Sequence, residues 1–191
     1  MEDRIRNIAM ENTIIPRRKV NDVVRLIENT TLPLGDVAEV GVYGGGFGLL
    51  LAACLHPRTV HLFDTFSGIP FSGPFDNCHK EGDFGDVDVL AVKSLVSGWN
   101  CEFHIGIFPD ETGHTVKELM FSVVHLDVDV YQSYLDSLKF FYPRMFPGAL
   151  VLLDDYDCHT CEGATRAVDE FLADKPESVS ICGVQHYFVK G

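Results

Sequence analysis

Basic residues are scarce in this chain. Lysine and arginine number 15 against 28 aspartates and glutamates, a formal net charge of -13. A field of that sign opposes nucleic acid and anionic membranes, which are held by clustered Lys and Arg. The one basic run, Arg17-Arg18-Lys19, reads as a solvated approach to a helix. Long apolar runs are also missing, so no segment is expected to span a bilayer. The opening MEDRIRNIAMENT is charged and has no apolar stretch of the secretory type. The six cysteines are scattered, several inside apolar runs, where a free thiol packs as a small core residue. A reduced, cytoplasmic setting without disulfides is therefore expected.

No internal repeat or low-complexity linker divides the chain. With 191 residues, 46% of them hydrophobic and 23% charged, it suits one globular domain over 1–191. A short helical segment at about 1–32 is expected to lead into that domain. Short β-like runs alternate with helical periods, the pattern of an α/β fold with a mostly parallel sheet covered on both faces. Val20, Val23, Val24 and Ile27 have helical spacing. Strands are expected at about 37–42, at TVHLFD ending in Asp64, at 101–106, ending at Asp127, and at 149–154. Helices are expected after the glycines at 44–46, at about 86–96, at about 110–119, and after Asp129 and Cys161. Two closing strands, near VSICG and QHYFVK, are joined by little more than a turn, which suggests an antiparallel pair. The stretch 65–85 is a long loop, and loops of that length in a compact domain are usually functional.

Carboxylates end two of the apolar runs: Asp127 in HLDVDVY, and Asp154 and Asp155 in LVLLDDY. The C-terminal edge of an α/β sheet is where ligands bind. Carboxylates crowded there repel one another unless a proton or a cation intervenes, and a hard divalent cation with oxygen ligands meets that need. Asp127 and Asp129 alternate around one residue, so an extended segment points both to one face. Asp129 reads equally well as a general base and as the N-cap of the next helix.

The first strand-turn-helix unit reads EVGVYGGGFG. It breaks the dinucleotide pattern G-x-G-x-x-G, because Tyr43 stands where the second glycine belongs, so a pyrophosphate is not the favoured ligand. Glu39, two residues before Gly41, suits a ligand carrying an ammonium and a carboxylate. Asp64 follows at the roughly 20-residue separation at which an acid accepts from ribose hydroxyls. Together these describe an adenosine bearing an amino acid, S-adenosylmethionine. Read apart, the glycines form a tight turn and Asp64 caps a helix.

The segments EVGVYGGG, FDTFSGIP, GDF, GIFPDET, LDVDVYQS and LLDDYDC, in this order, resemble the macrocin-type O-methyltransferases, from about residue 33 to 191. That family uses S-adenosylmethionine and a metal to methylate sugar hydroxyls of antibiotics and related natural products. The resemblance implies a class I methyltransferase, a Rossmann-like three-layer sandwich whose seven-stranded, mostly parallel sheet has its last strand antiparallel. It implies that Asp127, Asp154 and Asp155 hold magnesium or another hard divalent cation, with Asp129 as base and Asp127 beside it in catalysis. Glu39, Gly41, Tyr43, Gly45, Asp64, Thr65, Phe66 and Asp127 would meet the cofactor, and Gly106 and Phe108 would border its adenine. Gly44 stands where relatives carry a basic residue, and Phe47 where a small hydroxyl residue is common. The contacts to the cofactor's carboxylate are therefore not carried over there.

The implied function is methyl transfer to a hydroxyl of a small molecule, a sugar or natural product, with no nucleic acid or membrane partner. A homo-oligomer stays open. Two other readings remain: a hydrolase using the same aspartates to activate water, and an S-adenosylmethionine-binding partner protein without its own turnover. The first leaves the glycine turn and Asp64 without a ligand; the second is opposed by the intact aspartate set. Cys158-His159-Thr160-Cys161 has C-x-x-C spacing but no second pair to complete a zinc site. It reads as a loop beside the active site. His79 reads as an exposed loop residue, and His104, His125 and His186 as satisfied core or face histidines. Tyr156 is placed near the acceptor, while Tyr131, Tyr134 and Tyr142 are assigned to helix core.

Overall fold

Apolar runs bounded by glycine and charge become the strands of one seven-stranded sheet in the computed structural model, which describes residues 3–191. In chain order the elements are α1 (Asp3–Glu11), α2 (Arg17–Glu28), β1 (Asp36–Val40), α3 (Gly46–Cys54), β2 (Val60–Asp64) and α4 (Val89–Leu95). They continue as β3 (Cys101–Ile105), β4 (Phe121–Leu126), α5 (Tyr131–Phe141), β5 (Met145–Leu153), α6 (Glu162–Leu172), β6 (Ser180–Cys182) and β7 (Gln185–Val189). The sheet order is β3-β2-β1-β4-β5-β7-β6. The first five strands pair in parallel, and β7 runs antiparallel to both β5 and β6. This is the mostly parallel sheet with an antiparallel last strand that the sequence implied.

Two apolar cores cover the faces. One joins α2 and α3 to the sheet through Val20, Val24, Leu50 and Leu62; the other joins α5 and α6 through Tyr134, Leu138, Ala164 and Val168. Their burial explains why β1, β4 and β5 are nearly continuous apolar runs: a parallel sheet covered on both sides leaves no polar face. No described helix is long and apolar enough to cross a membrane.

Some expected elements change. The helix expected at about 110–119 is only a single 3-10 turn, Gly113–Val116. Glu111 sends its carboxylate back to the Ile107 N–H at 2.8 Å, and Gly113 packs under Phe140 and Pro109. These local bonds compete with a regular helix. Strand β1 stops at Val40 because Gly41 adopts a φ of +86°, and a Cβ there would collide with the Asp127 carbonyl. Lys19 is not solvated. Arg17 and Arg18 are exposed, but Lys19 reaches across to the end of β5.

The long loop 65–85 is tied to the fold by Asp76. Its Oδ1 accepts the Tyr131 N–H at 2.8 Å, which caps α5, and its Oδ2 accepts the Gly73 N–H at 2.7 Å. Asp76→Ala is expected to cost about 1 kcal/mol, the usual loss of an N-cap. For a chain of this size that is a fall of roughly 2–4 °C in thermal midpoint, read by a circular dichroism melt. An unchanged midpoint would show that the loop is held elsewhere.

Candidate active site

The strands β1, β2 and β4 all point their C-terminal ends at one cleft. Glu39, Gly41, Tyr43, Asp64, Thr65, Gly106, Phe108, Asp127 and Asp129 line it. Asp64 organises its floor: Oδ2 accepts the Val42 and Tyr43 N–H groups at 2.7 and 3.0 Å, and Oδ1 accepts the Phe66 N–H at 2.7 Å. Two of the expected cofactor residues stand outside the lining. Gly45, at φ +80°, is the residue before α3, and Phe66 packs toward Phe103. Tyr43, Phe84 and Asp129 line the cleft with positive φ values of 47°, 63° and 60°. Non-glycine residues in that region carry strain, which proteins tend to retain at binding sites.

The glycines at 44 and 46 have a structural cause that the sequence did not reveal. The Gly46 N–H donates to the Asn12 carbonyl at 2.9 Å, and a side chain at Gly44 would meet that same carbonyl. The end of α1 therefore packs directly on the glycine turn. The chain then passes Thr13, Ile14 and Ile15 along the cleft. Phe47 is buried and stacks on the His125 ring at 4.0 Å. At both positions packing accounts for the residue present, Gly44 against Asn12 and Phe47 against His125.

Deeper in, the acidic residues separate into two groups. Asp127, Asp154 and His125 bring ligand atoms within 4.8 Å of one another. Asp155 turns away: its Oδ2 accepts the Asp129 N–H at 3.0 Å, and its own N–H donates to the Tyr134 hydroxyl at 3.1 Å. Tyr134, expected as plain helix core, is fully buried and its hydroxyl donates to the Leu126 carbonyl at 2.8 Å, so it fixes the turn between β5 and the second aspartate. Burial, then Asp154, Asp155 and Asp129, holds the Asp127 carboxyl well above the usual carboxylate range. Burial, with Asp129 and Asp154, pushes Asp155 up to about 7. For Asp154 burial acts in the same direction, but His125 and Lys19 outweigh it and hold the group below its ordinary value.

Lys19 Nζ lies 3.0 Å from Asp154 Oδ2 and donates to the Asp154 carbonyl at 2.6 Å. Asp154 Oδ1 is left buried without a hydrogen-bond partner, as is Glu39 Oε2. His125 is fully buried between them, at 3.5 Å from Glu39 and 3.9 Å from Asp154, and both its ring nitrogens lack a hydrogen bond. It is not the satisfied core histidine expected from the sequence. An unpartnered buried carboxylate oxygen beside carboxyls driven toward their neutral forms is a donor set that fits a hard cation.

Asp129 does not cap α5, since Asp76 takes that place. Its Oδ1 instead lies 3.7 Å from His79 Nε2 and 3.6 Å from Cys161 Sγ. Burial raises its proton affinity and His79 opposes that shift. His79 is thus a half-buried partner of the candidate base rather than an exposed loop residue. Cys161 sits just before α6 as expected, while its thiol meets His79 at 3.6 Å. Tyr156 donates to Asp169 at 2.8 Å and does not line the cleft. The Ile14-Ile15 pair, Ile69 and Phe84 do line it. Their only trace in the sequence is apolar residues placed in loops that otherwise need none.

A cleft at the carboxyl ends of β1, β2 and β4, under a sheet of this order, is the arrangement of the class I methyltransferase fold. The solved structure of the O-methyltransferase NovP superposes with a TM-score of 0.79 at 25% identity, covering 94% of this chain and 81% of that one. The calicheamicin methyltransferase CalS11 shares the fold, with a TM-score of 0.75 at 18% identity over 99% of this chain and 91% of that one. The family model "Macrocin-O-methyltransferase (TylF)" matches residues 8–184, and the chain belongs to that family. Mycinamicin III 3''-O-methyltransferase of Micromonospora griseorubida is 30% identical, across 83% of this chain and 70% of the relative. Demethyldecarbamoylnovobiocin O-methyltransferase of Streptomyces niveus is likewise 30% identical, across 86% and 69%.

Proposed function

We propose that this chain transfers a methyl group from S-adenosylmethionine to a hydroxyl of a small molecule, a sugar or related natural product, with magnesium at the acidic site. One observation carries the reading. Asp127 and Asp129 stand in the same cleft as the glycine turn and Asp64, which supports a cofactor and an acceptor bound side by side. The named relatives are O-methyltransferases of mycinamicin III and demethyldecarbamoylnovobiocin, which supports the acceptor class.

Asp127 and Asp154 would hold the cation, with Asp155 behind them. When bound, magnesium orients the acceptor oxygen and lowers its pKa. The chain's own residues do the rest. Asp129 Oδ1 accepts the hydroxyl proton, and His79 at 3.7 Å steadies the carboxylate before that transfer. Tyr43, Asp64 and Gly106 fix the cofactor relative to Asp127, and such positioning is worth roughly 7–11 kcal/mol in well-oriented systems. Ile14, Ile69 and Phe84 give the cleft an apolar rim that limits water.

Titration calorimetry with S-adenosylmethionine, with and without magnesium, tests the reading. Saturable binding in both conditions is expected, because the cofactor half of the cleft does not depend on Asp154 or Asp155. Absence of binding in both conditions would remove the methyltransferase reading. Methyl transfer to a hydroxyl panel that survives chelation would remove the metal.

A further inference from the structure

A second polar cluster lies on the same sheet, outside the lining of the cleft. His61 of β2 and Glu102 of β3 are paired in register, and His104 stands two residues further along β3. His61 lies near the start of β2, whereas His104 pairs with Phe63 near the end of β3, so the cluster flanks the cleft without lining it. His61 is 2% exposed and His104 9%. Phe63 stacks on His104 at 4.4 Å, and Phe121 meets His61 edge-on at 5.8 Å.

Hydrogen counting shows that this cluster is one positive charge short. The contacts form a single chain. Asp36 Oδ2 lies 3.3 Å from His61 Nε2, and His61 Nδ1 lies 3.0 Å from His104 Nε2. His104 Nδ1 lies 2.8 Å from Thr115 Oγ1, which in turn lies 2.7 Å from the Thr112 carbonyl. Both ends, a carboxylate and a carbonyl, only accept. The four gaps between them need four hydrogens, but two neutral imidazoles and one hydroxyl supply three. If Thr115 serves Thr112 and each histidine serves its outer partner, the gap left bare is the one between the two imidazoles.

We propose that His61 Nδ1, His104 Nε2 and Glu102 bind zinc or a similar divalent transition metal in that gap. Glu102 Oε2 lies 3.6 Å from His61 Nδ1, and the three ligand atoms fall within 4.8 Å of one another. Separations of 3.0 and 3.6 Å bracket the edge of about 3.3 Å that a tetrahedral zinc with bonds near 2.0 Å requires. Each histidine would then give its remaining N–H to an outer acceptor, Asp36 or Thr115, the arrangement that orients metal-bound imidazoles. A proton is the rival occupant. Burial, and then His61, push His104 down to about 4, which opposes a proton on that ring. Two imidazoles favour zinc over magnesium. The ion would pin β3, the edge strand, to β2.

The full chain, stripped with a chelator and loaded with excess magnesium, would be titrated with cobalt as a coloured substitute, then with zinc. One equivalent of cobalt should give the intense visible bands of a tetrahedral site, which zinc bleaches. His104→Gln should abolish those bands. Glu102→Gln alters an exposed side chain that folding does not need, and should weaken cobalt affinity by about tenfold or more. Cys161→Ser should leave the titration unchanged, which separates this site from the His79–Asp129–Cys161 group. The proposal fails if cobalt gives no such bands, or if both the Glu102 and His104 variants titrate like the parent. It also fails if the histidine ring resonances show an imidazolium at neutral pH that zinc does not displace.

Discussion

Asp129→Asn is expected to lower the rate of methyl transfer by about 10²–10⁴, the span attributed to a positioned acid or base. Cofactor affinity should stay within a few fold. An amide cannot take the hydroxyl proton, yet it fills the same space. The positive φ of 60° at residue 129 is also one that Asn tolerates well, so the fold is spared. The geometry assigns the role by elimination as well as by reach. Asp76 caps α5, and the Asp129 backbone N–H is already bonded to Asp155, so the Asp129 side chain has no structural duty beyond His79 and Cys161. His79→Ala should give a smaller loss and move the acid limb of the rate profile to higher pH, because His79 opposes the rise that burial imposes on Asp129. Single-turnover rates at saturating cofactor would check both. A rate for Asp129→Asn within a few fold of the parent would return the residue to a packing role.

Much of this arrangement was legible in the sequence because it depends on local signals. Buried parallel strands are apolar from end to end, so Asp64, Asp127 and Asp154 stand out as the points where each run meets the cleft. Gly41 was legible as a turn because the approach of the Asp127 backbone excludes any side chain there. What stayed hidden depends on contacts distant in sequence. Lys19 and Asp154 are 135 residues apart, and nothing in a basic run at a helix start indicates that its third member reaches a buried carboxylate. Asp76 and His79 sit in a loop without periodicity, so their assignments to α5 and Asp129 appear only when the loop is folded back. The Asp36–His61–His104 chain was equally invisible, because it joins three neighbouring strands of a parallel sheet at single positions.

Asp127→Asn is expected to abolish magnesium-dependent turnover and, in the metal-free protein, to raise stability at neutral pH. The sign follows from the direction of the shifts. Asp127 and Asp155 are both held above the ordinary carboxyl value of about 3.9, by burial first and then by neighbouring carboxylates, Asp154 and Asp129 among them. The folded state therefore holds more protons than the unfolded chain between about pH 4 and 7. Stability supplied by the neutral forms is complete below about 4 and is lost as pH rises toward 7. Asn cannot ionise, so it spares the cluster the charge that Asp127 acquires as pH rises, and its amide N–H groups face carboxylate oxygens that need donors. A gain of about 2 kcal/mol is reasonable for relieving one buried charge, which corresponds to roughly 4–8 °C in a chain of this length. Melts from pH 4 to 8 should show a steeper decline for the parent than for Asp127→Asn. Magnesium should restore the parent at pH 7 and leave the variant unmoved. Parallel pH curves for the two proteins would mean that Lys19 and His125 already neutralise the cluster, and a cation would then have no electrostatic reason to bind there.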